Sequence, residues 1–343
     1  MKTGAKMALL AALAVLSIVA GVAVGSVHIP LGDVASILGS RLFGTALRSG
    51  MNGVYPAMVL DMRLPRVLLA FLTGAALAMS GTVMQSVLQN PLASPFGLGV
   101  SSGAGLGAAI VMVTGFAAGT AGMLALPAVS LAFGLGTVLL VLWIAGRIDR
   151  AMGNITVVLI GMVASLFFNA VMNLLSTLSP AYAQRIGLWQ LGSFSMREWP
   201  AVWVLGPVTA LALGLFAWYA PEMDAMTFGE EQAQAMGVDL RRCKMVLIGA
   251  VAVLTGTAVA FVGIIGFVDL IAPHVVRRFF GAAHRRVLPA GALFGGSFMV
   301  LCDLAARTLT PPREIPIGSI TALIGAPFFL YIYFAGRRRD RGC

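Results

Sequence analysis

The sequence predicts an all-α, polytopic integral membrane protein with about ten transmembrane helices and both termini in the cytoplasm. Of its 343 residues, 59% are hydrophobic and only 10% are charged, and the mean hydropathy is +0.94. Soluble domains carry about 25% charged residues, so a soluble fold is excluded. Apolar runs of about twenty residues, long enough to cross a bilayer, recur along the chain. We expect residues 1–343 to form a single transmembrane domain.

The first apolar run, Met7–Val27, is interpreted as a membrane span. At about twenty residues it exceeds the 7–15 residues that are usual for the apolar region of a secretory signal. Lys2 and Lys6 precede it and favour a cytoplasmic start. The remaining spans are expected to begin near Val67, Gly97, Met123, Thr156, Ala201, Met245, Asp269, Val287 and Pro316.

The basic residues set the orientation. Alternation from a cytoplasmic start places 15 of the 23 Lys and Arg residues inside and 8 outside, which agrees with the positive-inside rule. The inner group is Lys2, Lys6, Arg147, Arg150, Arg241, Arg242, Lys244, Arg277, Arg278, Arg285, Arg286, Arg337, Arg338, Arg339 and Arg341. The outer group is Arg41, Arg48, Arg63, Arg66, Arg185, Arg197, Arg307 and Arg313. The net charge of +10 therefore reflects topology and does not call for nucleic acid.

Three smaller patterns lie between and within the spans. The longest outer loop, His28–Met62, is expected to contain a surface helix. Gly99, Gly103 and Gly107 share one helix face, and such a small-residue stripe predicts close helix packing. Trp189, Trp199 and Trp203 predict an interfacial aromatic belt.

The polar segment Pro221–Lys244 interrupts two long apolar runs and must lie in water, on the cytoplasmic face by the orientation above. Glu230 and Glu231 would stand at the positive end of a short helix, and Gly237 would end it. Arg241, Arg242 and Lys244 are expected at the membrane edge. This segment is either an ordinary solvated loop or a surface that binds another protein.

Several kinds of chemistry are absent from the sequence. No GxxxxGK[ST] phosphate loop occurs, so the chain cannot hydrolyse ATP by that route. Isolated Cys and His residues offer neither a metal site nor a disulfide framework, and no cofactor is expected. The six spans before the polar segment lack the Asp or Glu that ion-driven carriers usually place near the midplane. Gly99–Gly103 with His274 only loosely resembles an intramembrane serine protease, because the spacing departs from GxSG.

Four stretches in order along the chain resemble the FecCD-type permeases of type II ATP-binding-cassette (ABC) importers, which carry iron–siderophore complexes, haem or cobalamin. They are RLPR at 63–66 with LTGAALAMSG at 72–81 and NPLA at 90–93; GEEQAQAMGV at 229–238; GIIGFVDLIAPHVVR at 263–277; and REIPIGSITALIGAPFFL at 313–330. The resemblance implies ten helices per subunit in the cytoplasmic (inner) membrane, a second permease subunit, two cytoplasmic ATPases and an external substrate-binding protein. We expect the second permease to be a copy of this chain rather than a paralogue.

The resemblance also implies roles for particular residues. Pro221–Arg242 would hold the coupling helices that sit on the ATPase, with Glu230, Glu231, Ala233 and Gly237 carried over from the family. Arg63, Arg66 and Arg307 match arginines that pair with glutamates of the binding protein, although for Arg63 and Arg66 sequence alone favours anchoring at lipid headgroups. Asn154, Ile155 and Thr156 match the cytoplasmic gate, where Asn and Ile depart from the expected small pair.

Two acidic residues stand in the later spans. Asp269 replaces a usual Gly and is expected to cap a helix over Leu270–Phe280. Asp303 is expected to pair internally with an arginine. An iron chelate is the expected cargo, with cobalamin as the alternative and an oxyanion as a further one. A stand-alone ion-coupled carrier is the alternative from a different class.

Overall fold

The computed structural model describes residues 3–25, 27, 29–48, 50–116, 122–149, 152–195 and 198–340, and all regular secondary structure in these ranges is helical. Lys2, His28, Arg150, Arg197, Arg341 and Cys343 lie outside the described residues, as do the side chains of Arg337, Arg338 and Arg339. The expectations placed on those groups stay predictions.

Fourteen helices are named here within the described part of the chain. They are α1 Thr3–Ala23, α2 Leu31–Phe43, α3 Tyr55–Val87, α4 Val100–Thr114, α5 Gly122–Ile148, α6 Asn154–Leu178, α7 Pro180–Gln190, α8 Trp199–Trp218, α9 Ala220–Met226, α10 Glu230–Ala235, α11 Leu240–Val262, α12 Val268–Phe280, α13 His284–Thr308 and α14 Ile317–Asp340. A short 3₁₀ turn, Pro95–Leu98, precedes α4.

Seven of these helices are long and apolar enough to cross a membrane: α1, α3, α5, α6, α8, α11 and α13. The all-helical membrane fold is therefore confirmed. The other three predicted spans correspond to α4, a shorter apolar helix, to α14, of which Ile317–Tyr331 forms a shorter apolar segment, and to α12, which has 13 residues and carries Asp269, Arg277 and Arg278. The predicted count of ten spans stays a prediction.

Helix α3 begins twelve residues earlier than the start predicted at Val67. Its first turns include Asp61, Arg63 and Arg66, charged residues that the apolar pattern places in a loop. The helix widens to a π-helical stretch over Met58–Arg63, where the Leu64 N–H bonds to the Val59 carbonyl. Pro65 follows and has no N–H to donate, so the normal hydrogen-bond register cannot continue through this point.

Helix α3 forms the centre of the subunit. In its apolar window 83% of the residues are buried, against 17% in α6 and 22% in α1. It crosses α13 where Gly74 meets Gly295: a Cβ built on Gly74 would lie 2.1 Å from the Gly295 carbonyl oxygen. Only glycine allows the two backbones to approach this closely.

The predicted glycine stripe is a packing surface. A Cβ on Gly103 would lie 2.1 Å from Thr137 Oγ1, and one on Gly107 would lie 2.9 Å from the Val129 carbonyl oxygen, both on α5. Gly99 lies just before α4 with a φ of +85°. The packing interpretation is confirmed.

The tryptophans divide into two groups. Trp199 and Trp203 stack with ring centroids 5.8 Å apart, and the Trp199 Nε1 donates to the Leu60 carbonyl at 3.0 Å. Trp189 is instead buried against Ala104, Ala108 and Val259. Its assignment to an aromatic belt is therefore wrong, because it fills the space that small residues of α4 leave. The surface helix expected in the outer loop is α2.

Candidate functional site: the polar loop and the outer arginine cluster

The polar segment, called the polar loop from here on, folds into two short helices. The predicted one is α10, which follows Gly229 (φ +114°) and is followed by Gly237 (φ +89°). Positive φ is accessible to glycine without strain, so both glycines serve as helix boundaries. Helix α9 is the second short helix: the family resemblance implied coupling helices in this segment, but the residue pattern alone predicted only α10. Pro221 within the first turn of α9 was the available signal.

The four residues for which the resemblance implies a coupling role do not all face water. Glu231 and Gly237 are exposed, so they can meet a partner. Ala233 is fully buried and packs against the core. Glu230 turns its carboxylate towards α11. Glu231, with the neighbouring Gln232 and Gln234, therefore forms the outward surface of α10.

Lys244 lies inside the protein, not at the membrane edge where it was predicted. Its side chain is 0% exposed, and its Nζ is 2.8 Å from Glu230 Oε1. It also donates to the Met152 carbonyl at 3.0 Å. Burying an ammonium is costly unless acceptors satisfy it, and these two acceptors explain its position. Arg241 and Arg242 remain exposed, as expected.

The predicted gate stretch begins directly after the loop that Lys244 contacts. Met152 has a φ of +51°, and the Gly153 N–H donates to Asp149 Oδ2 at 2.7 Å. Helix α6 starts at Asn154. Ile155 is 85% exposed in this subunit, and the Asn154 Oδ1 is buried without a hydrogen-bond partner among the described residues.

A second set of bonds ties α9 to other helices. Asp224 Oδ1 accepts from the backbone N–H of His284 at 3.0 Å and lies 2.5 Å from His284 Nδ1. The other ring nitrogen, Nε2, is 2.5 Å from Ser86 Oγ on α3. Arg277 of α12 donates to the same hydroxyl at 3.2 Å and to Gln85 Oε1 at 2.7 Å. Gln89, just after α3, also donates to the Met226 carbonyl at 2.8 Å. Among the described residues, the polar loop is thus held through α9, by Asp224 and Met226, and through α10, by Glu230.

At the other end of the subunit, the three predicted docking arginines meet in one cluster. Arg66 forms ion pairs at 2.8 Å with both Asp303 and Glu314. Arg307 Nε lies 3.3 Å from Asp303. The internal pairing predicted for Asp303 is confirmed. We call Arg63, Arg66, Arg307, Asp303 and Glu314 the outer cluster; it contains three guanidinium groups and two carboxylates.

Two of these arginines are committed to the end of α1. Arg63 and Arg307 are each only 7% exposed. Arg63 donates to the carbonyls of Val22 and Ala23 at 3.0 and 2.9 Å and also to Val27. Arg307 donates to the Gly21 carbonyl at 2.5 Å. Cations near a helix C-terminus satisfy its free carbonyls and its dipole, so both have a structural role here.

Glu314 lies in the motif at 313–330, but no role was predicted for it. Burial opposes its ionisation, but hydrogen bonds from Arg66 and Ser195 and the charges of Arg66 and Arg307 hold the pKa of Glu314 below its ordinary value of 4.5. All members of the cluster except the buried Asp303 line a cleft of about 390 Å³. Arg66 and Glu314 are its more accessible members.

Asp269 does not act as the predicted cap. Helix α12 begins at Val268, its N-cap position is Phe267, and no side chain caps it. The Asp269 carboxylate is fully buried and accepts a hydrogen bond from Ser94. Its backbone packs on Gly81, where a Cβ would lie 1.9 Å from the Asp269 carbonyl oxygen. The helix start differs because Asp269 enters the first turn and reaches across to the segment before α4.

Comparison with known proteins extends the picture to nearly the whole chain. The model of the FecCD transport family matches residues 12–335. The hemin transport system permease protein of Yersinia pestis is 34% identical over 305 residues, covering 88% of this chain and 91% of the relative. The cobalamin import system permease protein of Halobacterium salinarum is 38% identical over 293 residues, covering 84% and 77%. A solved metal-chelate type ABC transporter in an inward-facing conformation matches with a TM-score of 0.84 at 29% identity, covering 97% of this chain and 99% of that one.

Proposed function

The chain belongs to the FecCD transport family, and we propose that it is the permease through which an ABC importer moves an iron chelate, a siderophore complex or haem, across the cytoplasmic membrane. The family match over residues 12–335 carries this proposal. The hemin permease relative and the metal-chelate transporter support the cargo class. A permease of this family works with ATPase and permease partners. We assign it two cytoplasmic ATPases, a second copy of itself and an external binding protein.

The proposed topology has ten spans in one domain, with both termini in the cytoplasm. Lys6 near the start of α1 donates to the Phe279 carbonyl at the end of α12 at 2.8 Å. This bond supports a common side for the N-terminus and the cytoplasmic end of α12. Residues 221–244 lie on that side in the proposed arrangement and present Glu231 and Gln232 to the ATPase.

In the proposed cycle, a loaded binding protein docks outside and releases its cargo between two permeases. Closure of the ATPases on ATP displaces α9 and α10, and the cytoplasmic gate at Asn154, Ile155 and Thr156 responds. Ile155 is almost fully exposed within one subunit, which supports its place on a path shared by two copies. A conduit releases its cargo only if it binds that cargo weakly.

We assign binding-protein docking to the outer cluster, with Arg66 as its accessible cation and Arg63 and Arg307 behind it. The excess of one positive charge and the open cleft support this assignment. Charged pairs at such a surface set orientation and association rate more than affinity. Arg66→Gln should slow docking and reduce its salt dependence, measured by surface-immobilised binding kinetics. Arg185→Gln, at an exposed outer position on α7, is the matched control and should bind like the parent.

The proposed function is tested in proteoliposomes. The permease reconstituted with its ATPase and binding protein should take up a ferric siderophore or haem only when ATP is present. Uptake by the permease alone would overturn the proposal and favour a stand-alone carrier. The cobalamin relative supports the second candidate cargo. Mass spectrometry of the ligand retained by the binding protein distinguishes a ferric chelate from cobalamin.

A further inference from the structure

A single buried ammonium group joins the polar loop to the start of α6. Lys244 stands in the first turns of α11 and has no exposed surface. One of its acceptors is a carboxylate on α10 and the other is a backbone carbonyl in the α5–α6 connection. A buried charge that loses an acceptor becomes strongly unfavourable, so the two acceptors and the amine must move together or separate at a cost.

The second acceptor, the Met152 carbonyl, connects Lys244 to the start of α6. Met152 is two residues before Asn154, where α6 begins, and its backbone has a φ of +51°. Few non-glycine residues adopt this conformation, so the connection is specifically shaped where Lys244 holds it. Helix α10 has only six residues, and Glu230, its first residue, is the one that Lys244 contacts.

We propose that Lys244 is the positioning residue that transmits displacement of α10 to the cytoplasmic end of α6. The inference rests on the proposed function, since it assumes that an ATPase displaces α10. Among the described residues, Glu230 forms no hydrogen bond or ion pair with the gate stretch. Lys244 supplies the connection between them, and it does so without touching the cargo.

The second attachment of the loop provides a matched control. The Asp224–His284 pair joins α9 to α13 and, through Ser86, to α3. It is as short as the Glu230–Lys244 pair but leads away from α6. Breaking it removes a comparable polar contact from the same loop. Asp224→Ala, which removes the acceptor of both His284 bonds, should therefore leave communication with the α6 start intact.

The test uses the full complex with its ATPase in lipid nanodiscs. The reporter is Ile155→Cys, in a background with the three native cysteines replaced by alanine, and the readout is its rate of labelling by a water-soluble maleimide. The parent should label at rates that differ several-fold between the ADP-bound and the ATP–vanadate-trapped states. Lys244→Met and Glu230→Ala should each bring that ratio to about one with the ATPase still bound, whereas Asp224→Ala should retain it.

The outcomes separate the two proposals. A parent-like ratio in Glu230→Ala or in an assembled Lys244→Met complex overturns the role of Lys244. The double variant Lys244→Met/Glu230→Ala carries the decision if Lys244→Met does not assemble, because it removes the buried ammonium together with its partly exposed carboxylate partner and leaves neither charge unpaired. Loss of the ratio in Asp224→Ala as well would reduce Lys244 to a general structural contact. Absence of any ATP dependence in the parent would count against the proposed function itself.

Discussion

Gly74 and Gly295 are the residues on which the central crossing of α3 and α13 depends. Gly74→Ala would place a methyl group 2.1 Å from a backbone oxygen that cannot rotate away. Overpacking of this kind costs about 1–3 kcal/mol, so we expect a clearly lower melting temperature in detergent. Gly214→Ala on α8 meets nothing within 4 Å and is the control. Equal melting temperatures for both variants would contradict the described crossing.

Glu314 makes the outer cluster sensitive to acid. Because its pKa is held below 4.5, the folded state favours the charged form, and the resulting stabilisation is present above the ordinary pKa. It is lost as the pH falls through the lowered value. Glu314→Gln should therefore melt below the parent between about pH 6 and 8, and the difference should shrink progressively as the pH falls below 4.5. A difference that grows on acidification would show that Glu314 is not the paired carboxylate.

At the scale of elements, the outward face of α10 is testable with adjacent positions. Gln232 is exposed, whereas Ala233 is fully buried. With native cysteines replaced, Gln232→Cys should form a crosslink to the ATPase through a short bifunctional maleimide. Ala233→Cys should not react. A Gln232→Cys protein that is labelled only by free solvent probes in the assembled complex would reduce the loop to an ordinary connection.

The existence of the long helices and of the polar loop could be predicted because apolar length and turn residues are local properties. The start of α3 could not, because Arg63 and Arg66 enter the helix only when carbonyls of α1 and carboxylates distant in sequence satisfy them. The same reason applies to Lys244, whose acceptors come from α10 and from the α5–α6 connection. Local pattern locates charges at membrane edges, and tertiary partners decide which of them move inside.

At the scale of the whole molecule, the low burial of α6 bears on how this chain assembles with a second permease. Only 17% of its apolar window is buried by this subunit, and side chains such as Leu159, Leu166 and Phe167 are exposed. We expect a second copy of the chain to complete the importer. Untagged permease should co-purify with a tagged copy when both are expressed with the ATPase. Recovery of the tagged copy with only a different permease would instead indicate a heterodimer.

The attachments of α9 and of α10 connect the polar loop to two different groups of helices. Helix α9 is bonded to the group that contains α3 and α13, while α10 is bonded through Lys244 to α11 and the entrance of α6. Gly229, at a φ of +114°, lies between the two helices. In the proposed cycle, displacement of α9 and α10 by the ATPase would therefore reach two different groups of helices.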